Sequence, residues 1–125
     1  MKLLVKTSSL LVILSGLVLT SWLLGENETA IWVHLLLGFG YTVLFLLFSM
    51  DHLSAHGKGI KRPGLRNLTG VIQLFSGGLA LATGFILYLY GSKALSPWTE
   101  IHLASTLVFL AALLAHFTLK RTPPR

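Results

Sequence analysis

Four runs of about twenty predominantly apolar residues, near 8–24, 30–52, 68–90 and 98–119, take up most of this 125-residue chain. A domain of this size has no interior large enough to bury four such runs. Apolar residues make up 54% of the chain and charged residues 11%, and the mean hydropathy is +0.76, so little polar sequence is left to cover them. Each run is long enough to cross a hydrocarbon core of about 30 Å at 1.5 Å per residue. The expected fold is therefore all-α: a single integral membrane domain over 1–125, an up-down-up-down four-helix bundle. Trp22, Trp32, Tyr88, Tyr90 and Trp98 fall at one set of run ends, where an aromatic belt belongs.

The charges sort the loops. Lys2 and Lys6 precede the first run, Lys58, Lys61, Arg62 and Arg66 lie between the second and third, and Lys120, Arg121 and Arg125 follow the fourth. The other loops hold one basic residue, Lys93, beside Glu26, Glu28 and Glu100. That asymmetry predicts a cytoplasmic N-terminus, C-terminus and middle loop, in what is expected to be a bacterial cytoplasmic membrane. It also accounts for the net charge of +6 without nucleic acid, leaving membrane lipid as the expected partner. The chain has no cysteine, which excludes disulfides, thiolate metal sites and covalent haem through CxxCH. No GxSxG or phosphate-loop pattern is present.

The first and second halves resemble each other. Shifted by 68 residues, Ser8-Ser9 meets Ser76-Gly77, Ser15-Gly16 meets Thr83-Gly84, and His34 meets His102. The opening residues have the order of a signal peptide, a basic start followed by an apolar run, but removing them would destroy half of this repeat. Two spans per repeat bring the chain back to its starting side, so the repeats are parallel, related by an axis along the membrane normal. His34 and His102 are then expected at one depth.

Histidine spacing gives the sequence its chemistry. His102 and His116 are fourteen residues apart, which places them within about 40° on one helix face and about 21 Å apart along the axis. His34 and His52 are eighteen apart, five full turns. A lone histidine near a helix end is ordinarily an interfacial residue. Four on two shared faces need partners inside a membrane. Structural zinc would want a tetrahedral set of four ligands, whereas haem iron needs two axial imidazoles on opposite sides of a flat ring. Between the histidines of the second run lie Gly38, Tyr41, Phe45 and Phe48, and between those of the fourth lie Ser105, Phe109 and Ala112. Gly38, one turn from His34, would admit a porphyrin close to the backbone, and Phe109 falls midway between two candidate rings. The small pairs fit either close helix packing or the edge of a cofactor.

The stretches "WVHLLLGFG" at 32–40, "ATGFILY" at 82–88 and "EIHLASTLVFLAALLAH" at 100–116 resemble the four-helix b-type cytochromes of bacterial membranes. That group includes the gamma subunits of formate dehydrogenases, the cytochrome b subunits of nickel–iron hydrogenases, and short uncharacterised membrane domains related to them. The resemblance covers nearly the whole chain. It implies one or two haems b, with His102 and His116 matching the paired ligands of one span and His34 matching the outer partner. It also implies electron exchange with quinone. The chain departs from the pattern at Phe48, where the repeat calls for a histidine opposite His116. His52, one turn and about 6 Å deeper, is the nearest substitute, with His56 a turn beyond.

The expected function is thus a membrane cytochrome relaying electrons through haem iron held by His34, His102, His52 and His116. It would serve as an electron-transfer subunit beside a redox partner rather than as a stand-alone enzyme. Quinone is the expected substrate, and a second copy of the chain is a further expected partner. Two other readings compete: a non-redox scaffold subunit whose histidines are only hydrogen-bonded, and a small metal or proton transporter. "DHLSAH" at 51–56 also has the i, i+4 histidine spacing of a divalent-metal clip, against a solvated helix end as the plainer account. Asp51 is a candidate hydrogen-bond partner for a quinone headgroup.

Overall fold

The computed structural model describes residues 2–20, 27–57, 64–91 and 96–119. They form four helices: α1 (Lys2–Thr20), α2 (Glu28–His56), α3 (Leu65–Tyr90) and α4 (Trp98–Thr118). All four are long and apolar enough to cross a membrane, so the chain belongs to the all-α, four-span class. Two helices run well beyond the start or end of the hydropathy pattern, and α3 starts three residues before it. α1 starts six residues before the first apolar run, and α2 continues through Asp51 and His52 to His56 without a break. Neither extension contains glycine or proline, so nothing in the backbone stops the helix. Trp22, Glu26, Lys93 and the basic residues at 58, 61, 62 and 120–125 lie outside the described residues, as does the side chain of His56.

The helix ends carry recognisable signals. Pro97 precedes α4, where its missing N–H costs no helical hydrogen bond, and the Ile101 N–H donates to its carbonyl. α3 ends at Gly91, whose φ of 82° is open to glycine at little cost, and whose N–H donates to the Leu87 carbonyl at 2.7 Å. At the start of α2 the Asn27 side-chain oxygen accepts from the Ala30 N–H at 3.2 Å, a capping bond.

The chain divides into two compact units, 1–54 and 55–125. The first is a hairpin of α1 and α2, the second a hairpin of α3 and α4. Each is antiparallel, as the partner numbers show. In the first, Ser9 meets Tyr41, and a Cβ on Gly16 would touch His34. In the second, a Cβ on Gly70 would touch His116 and one on Gly84 would touch His102. The numbers in each pair add to 50 in the first hairpin and to 186 in the second.

Large apolar side chains cover the outside as well as the inside, unlike in a water-soluble protein. The side chains buried to under 2% exposure are two hydroxyls, Ser9 and Thr83, while Leu36, Val43, Met50, Phe75 and Tyr90 stand outward. Lipid is as apolar as leucine, so burying leucine gains nothing there, and close contact between small and hydroxyl-bearing residues supplies the packing instead. Each buried hydroxyl bonds back to its own helix: Ser9 to the Val5 carbonyl at 2.6 Å and Thr83 to the Leu79 carbonyl at 2.8 Å. No buried side-chain polar atom among the described residues lacks a hydrogen-bond partner.

This apolar exterior has a measurable consequence. Val43 is 58% exposed near the middle of α2. Val43→Arg is expected to raise the insertion free energy of the α2 segment by roughly 2.5–3.5 kcal/mol, and Val43→Leu to leave it unchanged. A translocon insertion assay on the two variants measures the difference, and equal insertion would mean that this face does not meet lipid.

Candidate functional site: clasped imidazoles

Three histidines are held in the same way. On α1, Val12, Ser15 and Gly16 form a small pocket for His34 of α2. The Ser15 Oγ donates to the Val12 carbonyl at 2.8 Å, and the same Oγ lies 2.9 Å from His34 Nδ1. On α3, Ala80, Thr83 and Gly84 receive His102 of α4. Its Nδ1 is 2.9 Å from the Ala80 carbonyl and 3.2 Å from Thr83 Oγ1. One heptad-pair lower, Arg66, Thr69 and Gly70 receive His116, with Nδ1 3.0 Å from the Arg66 carbonyl and 3.3 Å from Thr69 Oγ1. In each case the carbonyl is three residues before the hydroxyl, and the glycine directly follows it.

These contacts fix the tautomer. A carbonyl oxygen only accepts, so Nδ1 of His102 and of His116 must carry the hydrogen. Ser15 spends its hydroxyl hydrogen on the Val12 carbonyl, so its oxygen accepts from His34 Nδ1–H. In all three neutral rings the lone pair then resides on Nε2.

Glycine is required for the fit. A Cβ at Gly16 would fall 2.9 Å from His34 Cε1, one at Gly84 3.0 Å from His102 Cε1, and one at Gly70 3.2 Å from His116 Cε1. The ring edge therefore lies flush on the neighbouring backbone.

Heptad spacing organises the whole. On α3 a hydroxyl–glycine pair recurs at Thr69-Gly70, Ser76-Gly77 and Thr83-Gly84, while α4 carries His102, Phe109 and His116 at the same interval. Seven residues fall about 20° short of two turns, so such rungs stay in register along a helix pair. The middle rung pairs position 77 with Phe109, and both are buried. In the first hairpin the corresponding rungs are Gly16 with His34 and Ser9 with Tyr41. Tyr41 is buried, and its hydroxyl is hydrogen-bonded to Ser9 at 3.0 Å.

The residues singled out from the sequence divide accordingly. His34, His102 and His116 are half-buried and clasped. The α4 face between the two histidines, Ser105, Phe109 and Ala112, is buried. Gly38 has no protein atom within 4 Å of a Cβ built on it, so its open side faces away from the hairpin contact. His52 stands apart from the other three. Its ring stacks on Phe48 of its own helix, with centroids 5.4 Å apart and planes 19° from parallel. Among the described residues no three His, Asp or Glu side chains gather as a metal cage. The sequence reading overlooked Thr69-Gly70. Its signal was present: the two Thr-Gly pairs are fourteen residues apart, as are His102 and His116.

No protein-family model, curated protein or solved structure matches the chain.

The clasp makes a stability prediction that needs no ligand. Gly84→Ala is expected to destabilise the second hairpin by about 1–3 kcal/mol through overpacking against His102. Gly78→Ala, six residues away on α3 with nothing within 4 Å, is expected to be neutral or slightly stabilising. Unfolding of the purified variants in mixed micelles compares them, and equal stabilities would contradict the contact.

Proposed function

We infer that the protein is a membrane-embedded b-type cytochrome in which His34 and His102 would hold one haem and His116, with His52, would hold a second where there is one. The observation that carries this reading is the clasp, with three imidazoles whose Nδ1–H is engaged and whose lone pair is on Nε2. Axial ligation of haem iron asks for that donor: a neutral imidazole with its ring oriented by a hydrogen bond from the other nitrogen. Each histidine taken by itself offers the donor that the group asks for. His34 and His102 are equivalent under the 68-residue repeat, and each sits on the rung that also holds a hydroxyl–glycine pair. A haem held by two histidines supplies one-electron transfer. The chain's own part is to hold Nε2 in place and surround the site with apolar side chains.

The two candidate sites are unequal. Phe48 occupies the rung equivalent to His116 and cannot ligate iron, and His52 stacks on it one turn beyond. The reading therefore allows one haem or two, with His52 as the candidate fourth ligand. Absence of a three-ligand cage among the described residues weighs against a site that must wrap a small cation. The described part of the chain has no sizeable soluble lobe, so electrons would come from or go to a partner subunit, a quinone, or both. On this reading the excess of basic residues in the middle loop and at both ends favours cytoplasmic N- and C-termini in a bacterial membrane. Alkaline phosphatase fused within the loop at 92–95 should be active and a fusion at 58–63 inactive, and the reverse pattern would invert the topology.

Absorbance spectroscopy tests the haem directly. Protein purified from haem-replete cells and reduced with dithionite should show the sharp bands of low-spin haem b. His34→Ala and His102→Ala should each remove the same haem, while His116→Ala should spare it. A colourless wild-type protein would leave the histidines as structural groups of a scaffold or as part of a transport path.

A further inference from the structure

Serine and threonine in membrane helices commonly donate to the carbonyl three or four residues back, and Thr42, Ser76 and Thr118 do so here. Such a bond alone has no functional content. What singles out Ser15, Thr69 and Thr83 is that a histidine Nδ1 from the next helix converges on each of them. Ser76-Gly77 serves as an internal comparison. It is a hydroxyl–glycine pair of the same kind on the same helix face, yet its rung carries Phe109. The pair is thus compatible with an aromatic ring that makes no hydrogen bond, and each hydroxyl–glycine pair that meets an imidazole has its hydroxyl within reach of Nδ1.

We propose that Ser15, Thr69 and Thr83 are positioning residues that set the electronic character of the metal-facing nitrogen in His34, His116 and His102, with Gly16, Gly70 and Gly84 admitting the rings. This rests on the haem reading above and names the part of the protein that would tune it. An Nδ1–H held by a good acceptor makes Nε2 a stronger donor. A stronger axial donor favours ferric over ferrous iron and lowers the midpoint potential. His102 and His116 have a backbone carbonyl at 2.9 and 3.0 Å as the shorter contact, with the threonine hydroxyl longer at 3.2 and 3.3 Å. For His34 the Ser15 hydroxyl itself stands at 2.9 Å. Ser15 makes the shortest of the three hydroxyl contacts, so a side-chain change acts most directly there, and Thr83→Val, which alters a longer contact beside the Ala80 carbonyl, should have the smaller effect.

The test compares Ser15→Ala, Ser15→Thr and Thr83→Val in the haem-loaded full chain by redox titration and electron paramagnetic resonance. Ser15→Ala should raise the midpoint potential of the haem ligated by His34 and shift its low-spin g values. Ser15→Thr, which reproduces the arrangement at Thr83, should restore both. A Ser15→Ala protein with unchanged potential and g values would overturn the proposal, since a merely structural hydroxyl moves stability and not potential. Should Ser15→Ala fail to fold, ¹⁵N-histidine NMR of the reduced wild-type chain decides, because low-spin ferrous haem is diamagnetic. A downfield, hydrogen-bonded Nδ1–H proton at His34, His102 and His116 supports the clasp, and an Nδ1–H lacking that shift, or an Nε2–H tautomer, overturns it there. If the chain is colourless, the same spectrum separates the two ideas. Nδ1–H would then leave the tautomer assignment standing while both the haem reading and the tuning role fall.

Discussion

The architecture depends on a contact in which a side chain is absent. At Gly16, Gly70 and Gly84 an imidazole from the next helix lies within van der Waals reach of the backbone, and the hydroxyl one residue earlier meets its Nδ1. In water, a hairpin this rich in leucine would be driven together by burying it. In lipid that driving force is missing, and association must come from close packing and polar bonds between helices. The clasp provides both at one place. It also solves the problem each histidine creates, since a polar ring left without a partner in hydrocarbon costs several kcal/mol.

The heptad ladder explains why the clasp recurs. An antiparallel pair keeps the same facing residues every seven positions, so a glycine at 84 and a histidine at 102 are followed by a glycine at 70 and a histidine at 116. The intervening rung holds Phe109 in the second hairpin and Tyr41 in the first, two bulky rings that fill the level between the polar ones. Divergence between the halves follows the same logic. In the sequence, position 48 is phenylalanine where the second half has His116, and positions 1 and 2 are Met-Lys where it has Thr69-Gly70, so neither the imidazole nor the hydroxyl–glycine pair is present. Loss of both members together is what is expected if each exists for the other.

Much of this was legible in the sequence. Four apolar runs gave four spans because length and charge exclusion are stringent requirements of a bilayer, and the 68-residue repeat correctly paired Ser15-Gly16 and His34 with Thr83-Gly84 and His102. Spacing alone also indicated the α4 face that carries Ser105, Phe109 and Ala112, which is buried. The role of the small pairs was not legible. Ser-Gly and Thr-Gly pairs serve helix packing in many membrane proteins, and only the interhelical register shows that these meet a ring. Thr69-Gly70 escaped notice because its equivalent in the first half, positions 1 and 2, is Met-Lys, so comparison of the halves gave no signal there. The helical extension to His56 was likewise hidden, since hydropathy marks where the membrane ends rather than where the hydrogen-bond ladder does.

The reading as a cytochrome stands on which nitrogen of which histidine faces iron. Electron–nuclear double resonance on the oxidised full chain, labelled with ¹⁵N-histidine, measures this most directly. The account predicts a low-spin ferric centre coupled to two imidazole nitrogens in the unaltered chain, and loss of that centre in both His34→Ala and His102→Ala. A centre that keeps both couplings in those variants, or a protein that binds no iron, would contradict it.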